Sequence, residues 1–375
     1  MRKLSKIELV TVQKLLKAIN SMQGGKLVRL MEVCGTHTMA IFHSGIRQLL
    51  PKWIDIVSGP GCPVCVTPNK FIDTAIAYAR LDNVIITTFG DMMRVPGSRS
   101  SLNIERINGS DIRIVYSPLD SLKIAEANHD KKVIFLGVGF ETTAPGVAAT
   151  VIAAERSRLT NFYVLSAHKL VPPALRFLLD NPNTNIDGFL LPGHVCLVTG
   201  KEQFNFISEE YKVPGVIAGF EPLQILKAIY HLVKLVNGRK AKILNDYQEV
   251  VSLTGNIAAQ QFLKQVYDVA GSQWRGLGVL PQSGLEFTGR YQKFSAEKMI
   301  YVLVDKTIEP LNCRCGEILQ GAAKPTDCKL FSRICTPQHP VGSCMVSTEG
   351  TCAAWYKYGK VRIDYGNQAN LSWSR

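Results

Sequence analysis

The chain lacks any run of about 18 uninterrupted apolar residues, so a membrane-spanning helix is not expected. It also lacks the marks of an export signal. The first residues, MRKLSKIELVTVQKLLKAI, begin basic, but Lys14 and Lys17 recur inside the apolar pattern and no small-residue cleavage site follows. This reads as an amphipathic helix within residues 1–26 of a cytoplasmic protein. A nucleic-acid motif is missing too, although the net charge is +13 and two stretches, residues 1–26 and Lys227–Lys242, are strongly basic. Aromatics do not interleave with those basic residues. The patches therefore read as solvated surface or as ground for an acidic protein partner, not for nucleic acid. Histidine is scarce: His339 alone falls among the C-terminal cysteines, which leaves all-thiolate chemistry for that region.

What is present is globular. Nearly half of the 375 residues are apolar, and the length exceeds what one hydrophobic core usually serves. From Leu27 to about Val236 short apolar runs alternate with helical patterns. Strands are predicted at 27–33, 53–58, 83–89, 112–117, 132–138, 161–167, 186–192 and 213–219. Most are continuous β-branched and aliphatic runs, as strands buried on both faces of a parallel sheet require. One helix begins after Pro68 with Phe71, Ile72, Ala75, Ile76 and Ala79 on one face; another runs from Pro222 to Val236. The expectation is an α/β protein with two Rossmann-like parallel-sheet domains facing a cleft, residues 27–128 and 129–255, divided at the polar Asn128–Lys132 break. A Cys-rich C-terminal domain over residues 256–375 completes it.

Unusual residues gather where the predicted strands end. Cys34-Gly-Thr-His37-Thr follows the first strand, Gly59-Pro-Gly-Cys62-Pro-Val-Cys65 the second and Phe89-Gly-Asp91 the third. Gly139-Phe-Glu141-Thr142-Thr follows the fifth and Pro192-Gly-His194 the seventh. Ligands bind at the carboxyl edge of open α/β sheets, so these five loops point to one site between two domains. Backbone amides and His37 could lower the pKa of Cys34, making it a nucleophile or soft-metal ligand; a buried thiol acting as a small hydrophobe is the plain alternative. Cys62-x-x-Cys65 suits a reversible disulfide or half of a metal site. Glu141 either orients a metal-bound group or caps the helix beginning near Thr143. His194 is a ligand, an acid/base or a satisfied structural residue. Asp91 and Arg94 are placed to pair with each other, Cys196 to pack in the core, and His168 has no partner in sequence.

Ten cysteines in a reducing compartment signal metal or redox chemistry. Six of them, Cys313, Cys315, Cys328, Cys335, Cys344 and Cys352, crowd a Pro- and Gly-rich tail with no sustained apolar period. Such a tail needs a covalent or metallic anchor. The gaps match neither ferredoxin runs nor paired zinc-ribbon knuckles, and an iron-sulfur cluster and a structural zinc both remain open. Six thiols also exceed four ligands, leaving two that could form a redox pair.

Together the motifs CGTHT (34–38), GPGCPVC (59–65), TFGDMMRVPGS (88–98), GFETTAP (139–145), LPGHV (191–195), AGFEP (218–222) and WRGLGV (274–279) resemble the HypD family of [NiFe]-hydrogenase maturation factors. CRCGEIL (313–319), PTDCKLF (325–331), CTP (335–337) and MVSTEGTCAAWY (345–356) resemble it too. The likeness spans roughly residues 26–358. It implies a scaffold and redox protein, monomeric before it joins a HypC-type chaperone and a HypE-type cyanide donor, which assembles the Fe(CN)2CO group. By motif matching, Cys34 would bind that iron together with a cysteine of the chaperone, and Cys62/Cys65 would be the thiol–disulfide pair beside it. His37, Glu141, Thr142 and His194 complete the expected reaction site. Cys315, Cys328, Cys335 and Cys352 would hold a [4Fe-4S] cluster, with Cys313 and Cys344 accessory and able to form a disulfide. Two rival readings are a thioredoxin-reductase-like iron-sulfur disulfide reductase and a zinc-stapled interaction module.

Overall fold

A computed structural model of the chain describes residues 5–22, 24–182 and 184–359. The ends of the expected N-terminal helix and the last residues of the tail lie outside them. All eight predicted runs form strands: β1 Val28–Glu32, β2 Ile54–Ser58, β3 Val84–Thr88, β4 Ile112–Ile114, β5 Lys132–Gly137, β6 Phe162–Ser166, β7 Gly188–Pro192 and β8 Gly215–Ala218. A ninth, β9 Ile243–Asn245, is too short to declare itself by pattern. The strands sort into two parallel sheets, ordered β2-β1-β7-β8-β9 and β4-β3-β5-β6. Continuous burial along β3 and β7 accounts for the unbroken apolar runs. The α/β class with two parallel sheets is therefore observed.

Strand pairing does not follow a division at residues 128/129. The chain lays down β1 and β2, builds the whole second sheet, and returns to add β7 beside β1, with Leu30 opposite Gly188. Asp187 secures the return: its carboxylate accepts the Arg29 N–H (2.7 Å), and its own N–H donates to Arg29 O (2.8 Å). Hydrophobic pattern reports burial, not neighbours, so local sequence fits either arrangement.

The helix predicted after Pro68 spans Asn69–Ala79 and buries all five expected apolar residues. The helix Pro222–Asn237 starts with Glu221 and Gln224 in a capping box. Against it packs the amphipathic helix Lys6–Ser21, capped by Ser5 and Glu8, through Val12 and Ile19. The exposed lysines of both, Lys14 and Lys17 beside Lys227 and Lys234, are thus brought onto one pair of packed helices.

Beyond residue 255 a helix Ile257–Val266 leads into an antiparallel hairpin, β10 Tyr267–Trp274 and β11 Gly278–Phe287. Short turns then carry the cysteines to a final helix, Thr351–Tyr358. This tail has no core to itself. Cys315, Leu319, Cys344 and Val346 belong to the same apolar cluster as Cys62, Cys65, Ile72, Leu136 and Phe189. Among the described residues no helix is long and apolar enough to cross a membrane.

The loops after β1 and β2 touch backbone to backbone. Gly35 N–H donates to Gly61 O at 2.9 Å, and a Cβ on Gly61 would lie 2.3 Å from Cys34 N and Val33 C. Backbone cannot step aside as a flexible side chain can. Gly61→Ala should therefore cost ~1–3 kcal/mol or more of stability in chemical denaturation. Gly146→Ala, in a helix with nothing near the new methyl, should be neutral or stabilising by up to ~1 kcal/mol. Equal stability of Gly61→Ala and the parent would contradict this packing.

Candidate functional site

Cys34 stands at the carboxyl end of β1 as the N-cap of the helix Gly35–His43. Its N–H donates to Glu32 Oε2 at 3.2 Å, and Glu32 Oε1 accepts from the Thr38 hydroxyl at 2.6 Å. Burial dominates the electrostatics here. It raises the Cys34 thiol to about 12, with Glu349 and Glu32 adding to the rise, while the amides of His37 and Thr36 pull only part of the way back. The expectation of a lowered pKa is thus corrected. His37 cannot supply positive charge, because burial lowers its own pKa to about 4. Its Nε2–H donates to Gly219 O at 3.0 Å, which leaves Nδ1 as a buried lone pair with no partner among the described residues.

Beside Cys34, Cys62 and Cys65 form a disulfide; Cys62 caps a short turn of helix by accepting the Cys65 N–H on Sγ at 3.2 Å. The further loops converge on this seam. The His37 ring stacks on Phe220 (4.6 Å), which stacks in turn on the exposed His194 (3.9 Å), so three separate motifs meet in one column. Cys196, in the core as expected, feels both Glu141 and Cys34 electrostatically. Glu141 does cap a helix, but a different one from the helix expected. Its Oε1 accepts the N–H of Val171, first residue of the helix Val171–Asp180, at 2.9 Å, while its buried Oε2 has no partner. Thr142, one residue on, is exposed. Asp91 accepts from the Ser347 hydroxyl at 3.2 Å and Arg94 reaches Pro337 O at 3.5 Å, so both hold the tail instead of each other.

All six tail cysteines ring one cavity, together with Ile318, Leu330, Phe331 and Met345. Cys315 and Cys344 lie Sγ to Sγ 2.9 Å apart; Cys313 and Cys344 are both free thiols, contrary to the disulfide envisaged between them. Contact with Cys315, and burial after it, raise the Cys344 thiol well above the ordinary range, and burial raises Cys352, whereas the same contact lowers Cys315. No three His, Cys, Asp or Glu side chains among the described residues converge on a point as ligands of one ion would. The sulfurs line a wall around a space. Val341 N–H points a hydrogen bond at Cys335 Sγ (3.3 Å). Arg275, only 5% exposed, attracts the charged forms of Cys313, Cys315 and Cys344. Its two terminal nitrogens lack hydrogen-bond partners, and its nearest carboxylate, Glu309, is 3.8 Å away and half exposed. A buried cation left this bare fits an anionic group in the cage, and an all-thiolate cluster carries net negative charge.

Cage and seam are in contact. Ser343, next to Cys344, donates its hydroxyl to Cys65 O at 3.0 Å, and Arg275 N–H donates to Val66 O at 2.8 Å. Glu349 accepts from Thr36 at 2.8 Å, and a Cβ on Gly35 would strike it. The helix Thr351–Tyr358 packs on the helix Gly35–His43, with Trp355 against Phe42 and under Arg47. Sequence reasoning missed Glu32, Arg275, Ser343 and Glu349. Glu32 did leave a signal, a buried carboxylate ending a strand that is apolar but for Arg29; the others carry meaning only through contacts distant in the chain.

Burial also raises Glu141, from 4.5 to about 7. The fold thus favours its neutral form, a contribution fully present below pH 4.5 and lost as pH rises through about 7. Gln at this position keeps an acceptor for Val171. Glu141→Gln should therefore flatten that part of the decline in melting temperature with rising pH, and parallel profiles for the two proteins would refute the assignment.

Residues 10–359 match a family model described as the hydrogenase formation hypA family, HypD. The chain is 47% identical over 332 residues to the hydrogenase maturation factor HypD of Escherichia coli, covering 88% of this chain and 89% of that protein. It is 44% identical to a putative hydrogenase expression/formation protein of Methanocaldococcus jannaschii (89% and 93% covered) and 43% to HypD of Cupriavidus necator (90% and 91%). With the family match spanning nearly the whole described chain and these relatives covered almost end to end, the protein belongs to the HypD family of hydrogenase maturation factors.

Proposed function

We propose that this chain is the scaffold on which an iron atom acquires cyanide and carbon monoxide before delivery to a [NiFe]-hydrogenase, acting in the cytoplasm with a HypC-type chaperone and a HypE-type cyanide donor. The observation that carries this reading is sulfur continuity. Gly35 bonds Gly61 and Ser343 bonds Cys65, so a candidate iron thiol, a two-electron thiol pair and a six-thiol cage share one seam. Cys34 holds the iron in this scheme. Its raised pKa keeps the thiol protonated until a cation displaces the proton, and soft thiolate suits low-spin iron.

In the reduced state Cys62 and Cys65 supply two electrons to a thiocyanate-like carrier. The S–CN bond breaks, cyanide leaves with an electron pair for the iron, and the Cys62–Cys65 disulfide forms. Of the two protons released, one goes to the carrier thiol and one to solvent. A [4Fe-4S] cluster held by Cys315, Cys328, Cys335 and Cys352 would resupply electrons singly. Arg275 offsets negative charge at the cage, and Ser343 fixes its distance from Cys65. The lining of one cavity by all six tail thiols supports a metal-holding cage there.

Anaerobically purified protein should be brown with about four irons per chain; a colourless zinc protein would overturn the cluster. Cys62→Ser or Cys65→Ser should abolish infrared cyanide bands in the complex with the chaperone while leaving the colour, and undiminished bands would refute the dithiol step. Arg275→Gln should make the cluster's midpoint potential more negative by tens of millivolts, because a nearby cation favours the reduced, more negative form. Arg275→Lys should recover most of that shift, and an unchanged potential in Arg275→Gln would remove Arg275 from the account.

A further inference from the structure

A second site lies at the carboxyl edge of the other sheet, where no thiol of the seam or cage contributes. There a cavity of about 550 Å³ opens between the end of β6, the β10–β11 hairpin and the helix Asn69–Ala79. That volume is typical of small-molecule sites. Its lining is polar: Ser166, His168, Lys169, Ser272, Gln273 and Ser295 among others, with Lys70, Lys298, Glu286 and Glu297 also present.

Lys169 is the anomaly. It is 3% exposed, yet among the described residues it forms no ion pair; its ammonium donates to the Ser272 hydroxyl at 2.5 Å. Glu297 attracts it only from a distance, and burial outweighs that attraction, lowering Lys169 to about 8. Next to it His168, 1% exposed, contacts Ser166 Oγ through Nδ1 at 2.9 Å and leaves Nε2 without a partner. Such groups are costly to bury unless something meets them. The backbone is built to keep them there. Lys169 N–H donates to Gly139 O at 3.0 Å and Leu170 N–H to Ser283 O at 3.0 Å, clamping the pair between the loop after β5 and strand β11. A Cβ on Gly137 would lie 2.8 Å from the His168 ring, and one on Gly284 would lie 2.5 Å from the Cβ of Ser272. Two close approaches thus depend on glycine.

We propose that this cavity binds a small hydrophilic metabolite bearing an oxyanion, carboxylate or phosphate, with Lys169 as its counter-ion and the hydroxyls of Ser166 and Ser272 as further partners. Lys70 and Lys298 add positive potential, and Glu297, which interacts with both and with Lys169, limits the site to a ligand of low charge. The inference does not depend on the assembly reading, since it uses none of the thiols.

Isothermal titration of the full-length protein with inorganic phosphate, acetate and citrate, and with glycerol as neutral control, tests it. At least one anion should bind saturably and raise the melting temperature. Lys169→Met should weaken that binding at least tenfold, and Lys169→Arg should retain part of it. Without anion, Lys169→Met should melt no lower than the parent, because a bare buried charge has gone. Phosphate binding alone identifies a phosphate ligand, carboxylate binding alone a carboxylate, and binding of both a site that reads charge. Absence of saturable binding by all three anions would overturn the proposal. So would unchanged affinity in Lys169→Met; should that variant not fold, unchanged affinity in Ser272→Ala is the deciding result.

Discussion

Parallel pairing of β1 with β2 sets Glu32 level with Ser58, and every sulfur contact downstream depends on that register. Because the two strands end together, their loops leave the sheet side by side. Gly59 N–H closes on Glu32 O at 2.7 Å before Gly61 meets Cys34. A slip of one residue would turn Cys34 and the Cys62 loop to different faces. With the register held, a thiol and a disulfide lie in one buried seam, and the tail has a surface to complete.

Burial then decides the chemistry of the resting protein. Carboxylates Glu32 and Glu141 are raised to about 8 and 7, the thiols of Cys34 and Cys352 rise, and His37 and His168 are held neutral. Buried Glu105 keeps its charge paired with Arg80, but two buried cations, Arg275 and Lys169, have no close buried carboxylate. Lys169 lines a cavity and Arg275 acts on the cage thiols, two places where an anion would restore the balance. A folded protein that keeps such groups gives up stability for function, which is where local rules are expected to fail.

The fold was legible wherever it is written locally. Continuous apolar runs marked eight strands, and Pro68 and Pro222 marked the starts of two helices whose buried faces match. Strand order was not legible: the return of β7 to β1 rests on contacts such as Asp187 with Arg29, 158 residues apart. Nor was the standing of the tail. Its pattern showed that it lacks a core, but not that Cys315 and Cys344 would enter the core shared by both sheets.

At the site the division is similar. Residue types and spacing were enough to single out Cys34, the Cys62/Cys65 pair and the six tail thiols, because thiols are rare and their chemistry travels with them. They also placed the Gly-rich loops at the carboxyl ends of strands, since strand direction follows from alternation with helices, although the structure divides those strands between two sheets. Only the tertiary structure decided that Cys34 is raised instead of lowered, that Glu141 caps the helix Val171–Asp180, and that Arg275 acts on the cage thiols. Each of these depends on what surrounds a side chain in space. Desolvation and Coulomb interactions act through distance, and distance between remote segments is not written in the order of residues along a chain.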